Sequence, residues 1–193
     1  MTDHQVVSRD AWLDARRDLL AMEKAETRMR DKVNAARRAL PWVAVETDYH
    51  FDTPDGRRSL AGLFDGRGQL IVYHFMLAPG WEAGCVGCSF LADHLDGTLP
   101  HLNHHDVTLL AVSRAPLPEI EAYRRRMGWR FPWVSSLGSR FNHDFGVSFS
   151  KEELADGSVF YNFADIPSDR AFDELPGLSA FAKDADGTVF PTY

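Results

Sequence analysis

Apolar residues recur at alternating spacings of three and four through Trp12, Ala15, Leu19, Met22, Met29, Val33, Ala36 and Leu40; Glu26 alone interrupts the series. That period predicts one long helix over residues 8–40, with a heptad-like stripe along one side. Ser8 is its candidate N-cap, since a hydroxyl there accepts an orphan backbone N–H, and Pro41 stops the run. The stripe has two readings: it packs on its own domain, or it pairs with a second copy as a homodimer arm through residues 8–40. Arg16, Arg17, Arg28, Arg30, Arg37 and Arg38 interleave with Asp10, Asp14, Asp18, Glu23, Glu26 and Asp31, so the polar face reads as solvated and ion-paired.

Beyond Pro41 the pattern changes, which sets the expected boundary between a helical extension (1–41) and a second domain (42–193). Alternation in 42–46 and 49–51 predicts strands, and Pro54-Asp55-Gly56 a turn. Leu60, Leu63 and Phe64 fit a short helical turn. Residues 69–77 are nearly continuous apolar, β-branched and aromatic, as in a central strand buried on both faces. Residues 89–96 read as helix and 106–113 as a second buried strand. Leu117–Met127 reads as a helix with Pro116 before it and Gly128 after it. "FPWVSS" gives a third strand and "SRFNHDFGV" a short helix or turn. Residues 150–176 are loop-rich, with a strand at 159–163. The end of the chain is a hairpin about Asp186-Gly187. Strand–helix alternation followed by a hairpin predicts an α/β fold with a parallel centre and added antiparallel strands.

Composition narrows the class. Hydrophobic content of 45% and charged content of 25% are ordinary for a globular chain, which needs no disulfide framework to form a core. A net charge of −7 argues against a general nucleic-acid binder. No N-terminal apolar run follows positive charge, and no stretch approaches the roughly 20 apolar residues of a membrane span. A cytoplasmic location is therefore expected, where thiols stay reduced and a Cys-x-x-Cys pair is catalytic, redox-sensing or metal-binding rather than structural.

The two cysteines of the chain, Cys85 and Cys88, stand in "GCVGCS", between the first apolar strand and a helix. A thiolate is the attacking species in disulfide exchange, and the free N–H groups of a first helical turn stabilise it. Cys85 falls at or just before that turn, with a lowered pKa. Cys88 lies one turn on and faces the same side, placed to resolve a mixed disulfide. Gly84 and Gly87 let the backbone turn sharply. Cys85-x2-Cys88-x12-His101-x3-His105 also matches a zinc spacing, but Gly97 and Pro100 interrupt the helix that such a site needs. Trp81 is a candidate shield for the thiolate. Arg114, after the second buried strand, lies where ligands bind in α/β sheets and is a candidate electrostatic helper.

The motifs "GWEAGCVGCSF", "VSRAPL" and "MGWRFPWVSS" closely resemble those of a bacterial family called domain of unknown function 899. It is a thioredoxin-like group labelled as dithiol–disulfide oxidoreductases, and the resemblance runs from the N-terminal helix to "GLSAFAKDADGTVFPTY". It implies a thioredoxin-like fold of the peroxiredoxin-like variant, with Cys85 and Cys88 as the redox pair. The chain departs from the wider fold at several points. Gly84, not Trp, precedes the first cysteine. Thioredoxins carry a cis-proline before the strand facing the dithiol; here the facing position falls near Leu178 or Ser179, and Pro176 sits too early. Peroxiredoxins carry Thr-x-x-Cys, and Cys85 takes the threonine position if Cys88 is peroxidatic. Family members run on past the terminal hairpin, so a closing helix is expected to be missing or supplied otherwise. The function expected is a dithiol–disulfide oxidoreductase acting on a disulfide or a peroxide. It takes electrons from a thiol donor and needs no organic cofactor, no nucleic acid and no membrane. The alternatives are a peroxiredoxin-like peroxidase working through Cys88, a non-catalytic dimeric binding module, and a zinc module.

Overall fold

The structure, a computed structural model, describes residues 4–170 and 172–193. The chain divides into two compact units after Pro41. The first is built on helix α1, Arg9–Arg38, whose N-cap Ser8 accepts the Ala11 N–H at 3.3 Å. Ion pairs between Arg17 and Asp14 (2.7 Å), Arg16 and Glu23 (3.0 Å), and Arg30 and Glu26 run along its polar face. The helix buries none of its residues, so its apolar stripe is exposed along its length.

In the second unit the strands are β1 His50–Thr53, β2 Gly56–Ser59 and β3 Gln69–His74. Helices α2 Val86–Ala92 and α3 Leu99–His104 lead to β4 Val107–Ser113. Helix α4 Leu117–Met127 leads to β5 Trp133–Ser135, followed by α5 Phe141–Asp144 and α6 Lys151–Ala155. Strands β6 Ser158–Tyr161, β7 Ala164–Pro167, β8 Gly177–Lys183 and β9 Val189–Pro191 complete the chain. Among the described residues seven strands form one sheet in the order β2-β1-β5-β4-β3-β8-β9, and β6 and β7 form a separate hairpin. Strand β3 is central: parallel to β4 on one side, antiparallel to β8 on the other, with His74 opposite Gly177. A parallel β3–β4–β5 half joined to an antiparallel β8–β9 half, with the Cys-x-x-Cys pair directly after the central strand, is a thioredoxin-like arrangement. The β1–β2 hairpin extends it beyond β5.

The continuous apolar run of β3 follows from this position. Leu70 and Val72 pack with Leu110, Val112, Phe141 and Phe181 on one face. Tyr73 and Phe75 pack with Ala111, Ile120, Trp129 and Trp133 on the other. The second face also carries α2 and buries Cys88.

Several elements differ from expectation. Residues 42–46 form no strand; Val45 makes a single bond to the Val189 carbonyl (2.8 Å), and Trp42 packs its ring on Phe190 (5.3 Å). Apolar alternation there serves packing against β9, not a ladder. Helix α2 starts at Val86, before residue 89, and α3 forms despite Pro100 because a first-turn proline lacks only an N–H that would be orphaned anyway. In the segment read as loop, Ser150 and Glu153 form a capping box that starts α6. The strand read as 159–163 ends at Tyr161, because Asn162 and Phe163 take left-handed conformations (φ 49° and 62°) and turn the chain into β7. Pro176 immediately precedes β8, one residue before the Gly177–His74 pair, and so stands beside the end of β3 rather than too early. The described residues contain no cis peptide bond.

Candidate active site

The site begins where β3 ends. The chain continues through buried Phe75, Met76 and Leu77, turns at Gly80, and returns so that the Cys85 N–H donates to the Met76 carbonyl (3.1 Å). Helix α4 holds this loop at two points: Glu119 accepts the Gly80 N–H (3.0 Å), and Arg126 donates to the Glu82 carbonyl (3.4 Å). Gly84 is buried against aromatic rings; a Cβ there would stand 2.4 Å from Phe75 Cε1 and 3.0 Å from Tyr123 Cε1.

Cys85 is the N-cap residue of α2 and makes no side-chain capping bond, and its residue is only partly buried. Cys88, one turn on, is 2% exposed. Both are free thiols. Burial pushes the Cys88 thiol up from its ordinary 9.0 to about 11. The Tyr73 phenol and the Met76 backbone oppose that rise by hydrogen bonding, and the neighbouring Cys85 adds to it. The Tyr73 hydroxyl donates to the Cys88 carbonyl at 3.3 Å. Ser89 Oγ donates to the Cys85 carbonyl (3.0 Å) and pairs with the Tyr123 hydroxyl (3.0 Å), which ties the first turn of α2 to α4.

Trp81 packs, partly buried, against the core cluster that contains Cys88 and touches Cys85. Arg114 follows β4 and is fully engaged on one side. Its Nε donates to Glu174 and an Nη to Asp173, both at 2.7 Å. Glu174 is 2% exposed; burial raises its pKa and the Arg114 guanidinium works against that rise. The pair pins the segment that leads through Leu175 and Pro176 into β8. Tyr161 of β6 donates to the Pro176 carbonyl, and its phenol pKa is raised by burial and by the nearby Cys88. Tyr161 and Pro176 also line a cleft of about 560 Å³ with Phe149, Phe160, Phe163 and Leu178.

The structure thus brings Cys85, Cys88 and Trp81 together at one core cluster and pairs Arg114, at the end of β4, with the strap before β8. Sequence reading missed Tyr73, Ser89, Tyr123 and Tyr161. A signal for Tyr73 was available: positions 71, 73 and 75 of an alternating strand share the face on which the following helix packs. Tyr161 and Tyr123 had none, since they arrive through long-range packing. His101 and His105 do not join the cysteines, and no group of three or more His, Cys, Asp or Glu suited to a metal occurs among the described residues.

Fold and site together define a thioredoxin-like protein with a Cys-x-x-Cys pair at the start of the helix after its central strand. The chain belongs to the family described as bacterial protein of unknown function (DUF899), whose model matches residues 1–193. No curated protein matches it. Similar solved structures include peroxidoxin BcpB from Mycobacterium tuberculosis, at 16% identity and TM-score 0.49 over 77% of this chain and 80% of that one. A PrxQ mutant from Xylella fastidiosa is 13% identical, TM-score 0.49, over 79% and 85%. A Xanthomonas campestris peroxiredoxin Q is 18% identical, TM-score 0.44, over 78% and 82%. No residue role passes from these structures to this chain. No helix among the described residues is long and apolar enough to cross a membrane.

Proposed function

We propose that the protein is a cytoplasmic thiol–disulfide oxidoreductase in which Cys85 attacks and Cys88 resolves. The observation that carries this reading is the unequal placement of the two thiols. Cys85 stands partly open at the head of α2, within reach of a substrate disulfide, and Cys88 is held one turn inside. The Cys85 thiolate attacks a substrate disulfide and releases one thiol, leaving a mixed disulfide on Cys85. Cys88 then attacks the Cys85 sulfur, the second substrate thiol leaves, and the protein holds a Cys85–Cys88 disulfide. A thiol donor reduces that disulfide and closes the cycle. A peroxide suits the same pair, since Cys85 sulfenic acid condenses with Cys88 and releases water. The burial of Cys88 weighs against Cys88 as the first nucleophile of a peroxidase.

Trp81 enters this reading as a cover on the flank of Cys85. Arg114 is an electrostatic helper acting through Asp173 and Glu174, which fix the approach to Pro176. The stripe of α1 pairs with a second copy, giving a homodimer through residues 8–40. The direct test is trapping. In Cys88→Ser, a small disulfide is expected to leave a stable adduct on Cys85, found by mass spectrometry; in Cys85→Ser, no rapid adduct forms. An adduct on Cys88 alone contradicts the assignment of roles.

A further inference from the structure

Resolution demands that Cys88 become a thiolate in a place that disfavours charge. Burial favours the protonated sulfur and is the main reason the thiol is pushed up to about 11. Something beside the sulfur must favour the anion as it forms. The titratable groups facing Cys88 are Tyr73 from β3, Cys85 at the head of its own helix and Tyr161 from β6.

Of these, Tyr161 has its hydroxyl committed to the Pro176 carbonyl. From α4, Tyr123 reaches Ser89, not Cys88. Tyr73 is different. Its ring is 3% exposed and packs in the same buried cluster as Cys88, its hydroxyl donates to the Cys88 carbonyl at 3.3 Å, and the Cys88 thiol is a titratable side chain that this phenol faces. At 3.3 Å this bond is longer than an ordinary O–H···O bond, so the hydroxyl is only weakly committed to the carbonyl. Burial and the facing thiols push the Tyr73 phenol well above its ordinary range. It therefore stays protonated, a donor and never a base.

Building on the dithiol reading, we propose that the Tyr73 hydroxyl is the hydrogen-bond donor that stabilises the Cys88 sulfur as it attacks the mixed disulfide. In this step the Cys88–Cys85 sulfur bond forms and the bond from Cys85 to the substrate sulfur breaks. The proton of Cys88 passes to the departing substrate thiolate, and Tyr73 keeps its own. The electron pair of the broken bond leaves with the substrate sulfur, so the dithiol is oxidised and the substrate disulfide becomes two thiols. A buried donor aimed at developing charge acts with little competition from water.

The test is stopped-flow reaction with the chromogenic disulfide dithiobis(nitrobenzoate), comparing the wild-type chain with Tyr73→Phe. The first equivalent of chromophore reports attack by Cys85 and the second reports resolution by Cys88. Tyr73→Phe keeps the ring and removes one oxygen. Expected is an unchanged first phase, with a second phase about tenfold slower and an alkaline midpoint higher by about one pH unit. An unchanged second phase overturns the proposal. So does equal slowing of both phases, because Tyr73 then merely supports the loop. Absence of a second equivalent from wild-type protein would instead sink the dithiol reading itself.

Discussion

Gly84 has no room for a side chain. A Cβ there would press to 2.4 Å on the Phe75 ring, which is itself packed on Trp133 at 4.5 Å between centroids. Neither ring is free to move in a close-packed interior. Gly84→Ala is expected to cost about 1–3 kcal/mol, read from the denaturant midpoint, and to alter the alkylation rate of Cys85 next to it. An unchanged midpoint would show that the loop yields and that Gly84 does not fix Cys85. His74 is the residue on the opposite face whose charge state the fold dictates. It is 1% exposed, stacks on Phe141 at 5.4 Å and shares a 2.9 Å bond with Ser179 Oγ, while its Nδ1 has no partner. Burial lowers its pKa from 6.5 to about 3, so the folded protein holds the ring neutral while the unfolded chain protonates it. The stability this secures is present above about 6.5 and is lost as pH falls toward 3, by about 1.4 kcal/mol per unit. Urea unfolding from pH 7 to 4 should show that slope in wild-type protein and lack it in His74→Phe; equal slopes in both would remove His74 from the acid response.

At the scale of elements, α1 is the part whose sequence says most and whose structure leaves most open to a partner. Its stripe repeats at heptad spacing, and Trp12, Met22 and Met29 are each more than half exposed. A helix polar on one side and apolar on the other loses its driving force when the apolar side stays wet. Sedimentation should find a dimer, and Met22→Lys with Met29→Lys should give a monomer with the dithiol chemistry intact; a wild-type monomer at tens of micromolar contradicts the pairing. This helix, α4 and the terminal hairpin were legible because each carries local punctuation: Ser8 and Pro41, Pro116 and Gly128, Asp186-Gly187. Helix α6 was missed although Ser150-x-x-Glu153 is itself a start signal, because only five residues follow it and no apolar period supports them. The β6–β7 turn was missed for a different reason. Asn162-Phe163 lacks the glycine that normally marks two consecutive left-handed residues.

For the whole molecule, the sequence disclosed which strand is central and where the thiols stand, since both follow from a local apolar run and its neighbouring motif. It did not disclose what surrounds the thiols. Pro176 is 88 residues beyond Cys88 and reaches the end of β3 only through the antiparallel register of β8, which no local pattern specifies. Arg114 directly follows β4, as a local pattern could show, yet its partners Asp173 and Glu174 come from the same distant strap. The dithiol proposal requires that an open Cys85 and an enclosed Cys88 form one reversible redox couple. Intact-mass spectrometry with timed alkylation, on protein cycled between mild oxidant and reductant, tests this most directly. Predicted are a reversible loss of two hydrogen masses that protects both cysteines, and, in the reduced form, rapid labelling of Cys85 with Cys88 labelled only slowly or after unfolding. Two thiols that stay open to alkylation after oxidation, or that label at the same rate in the folded protein, would contradict it.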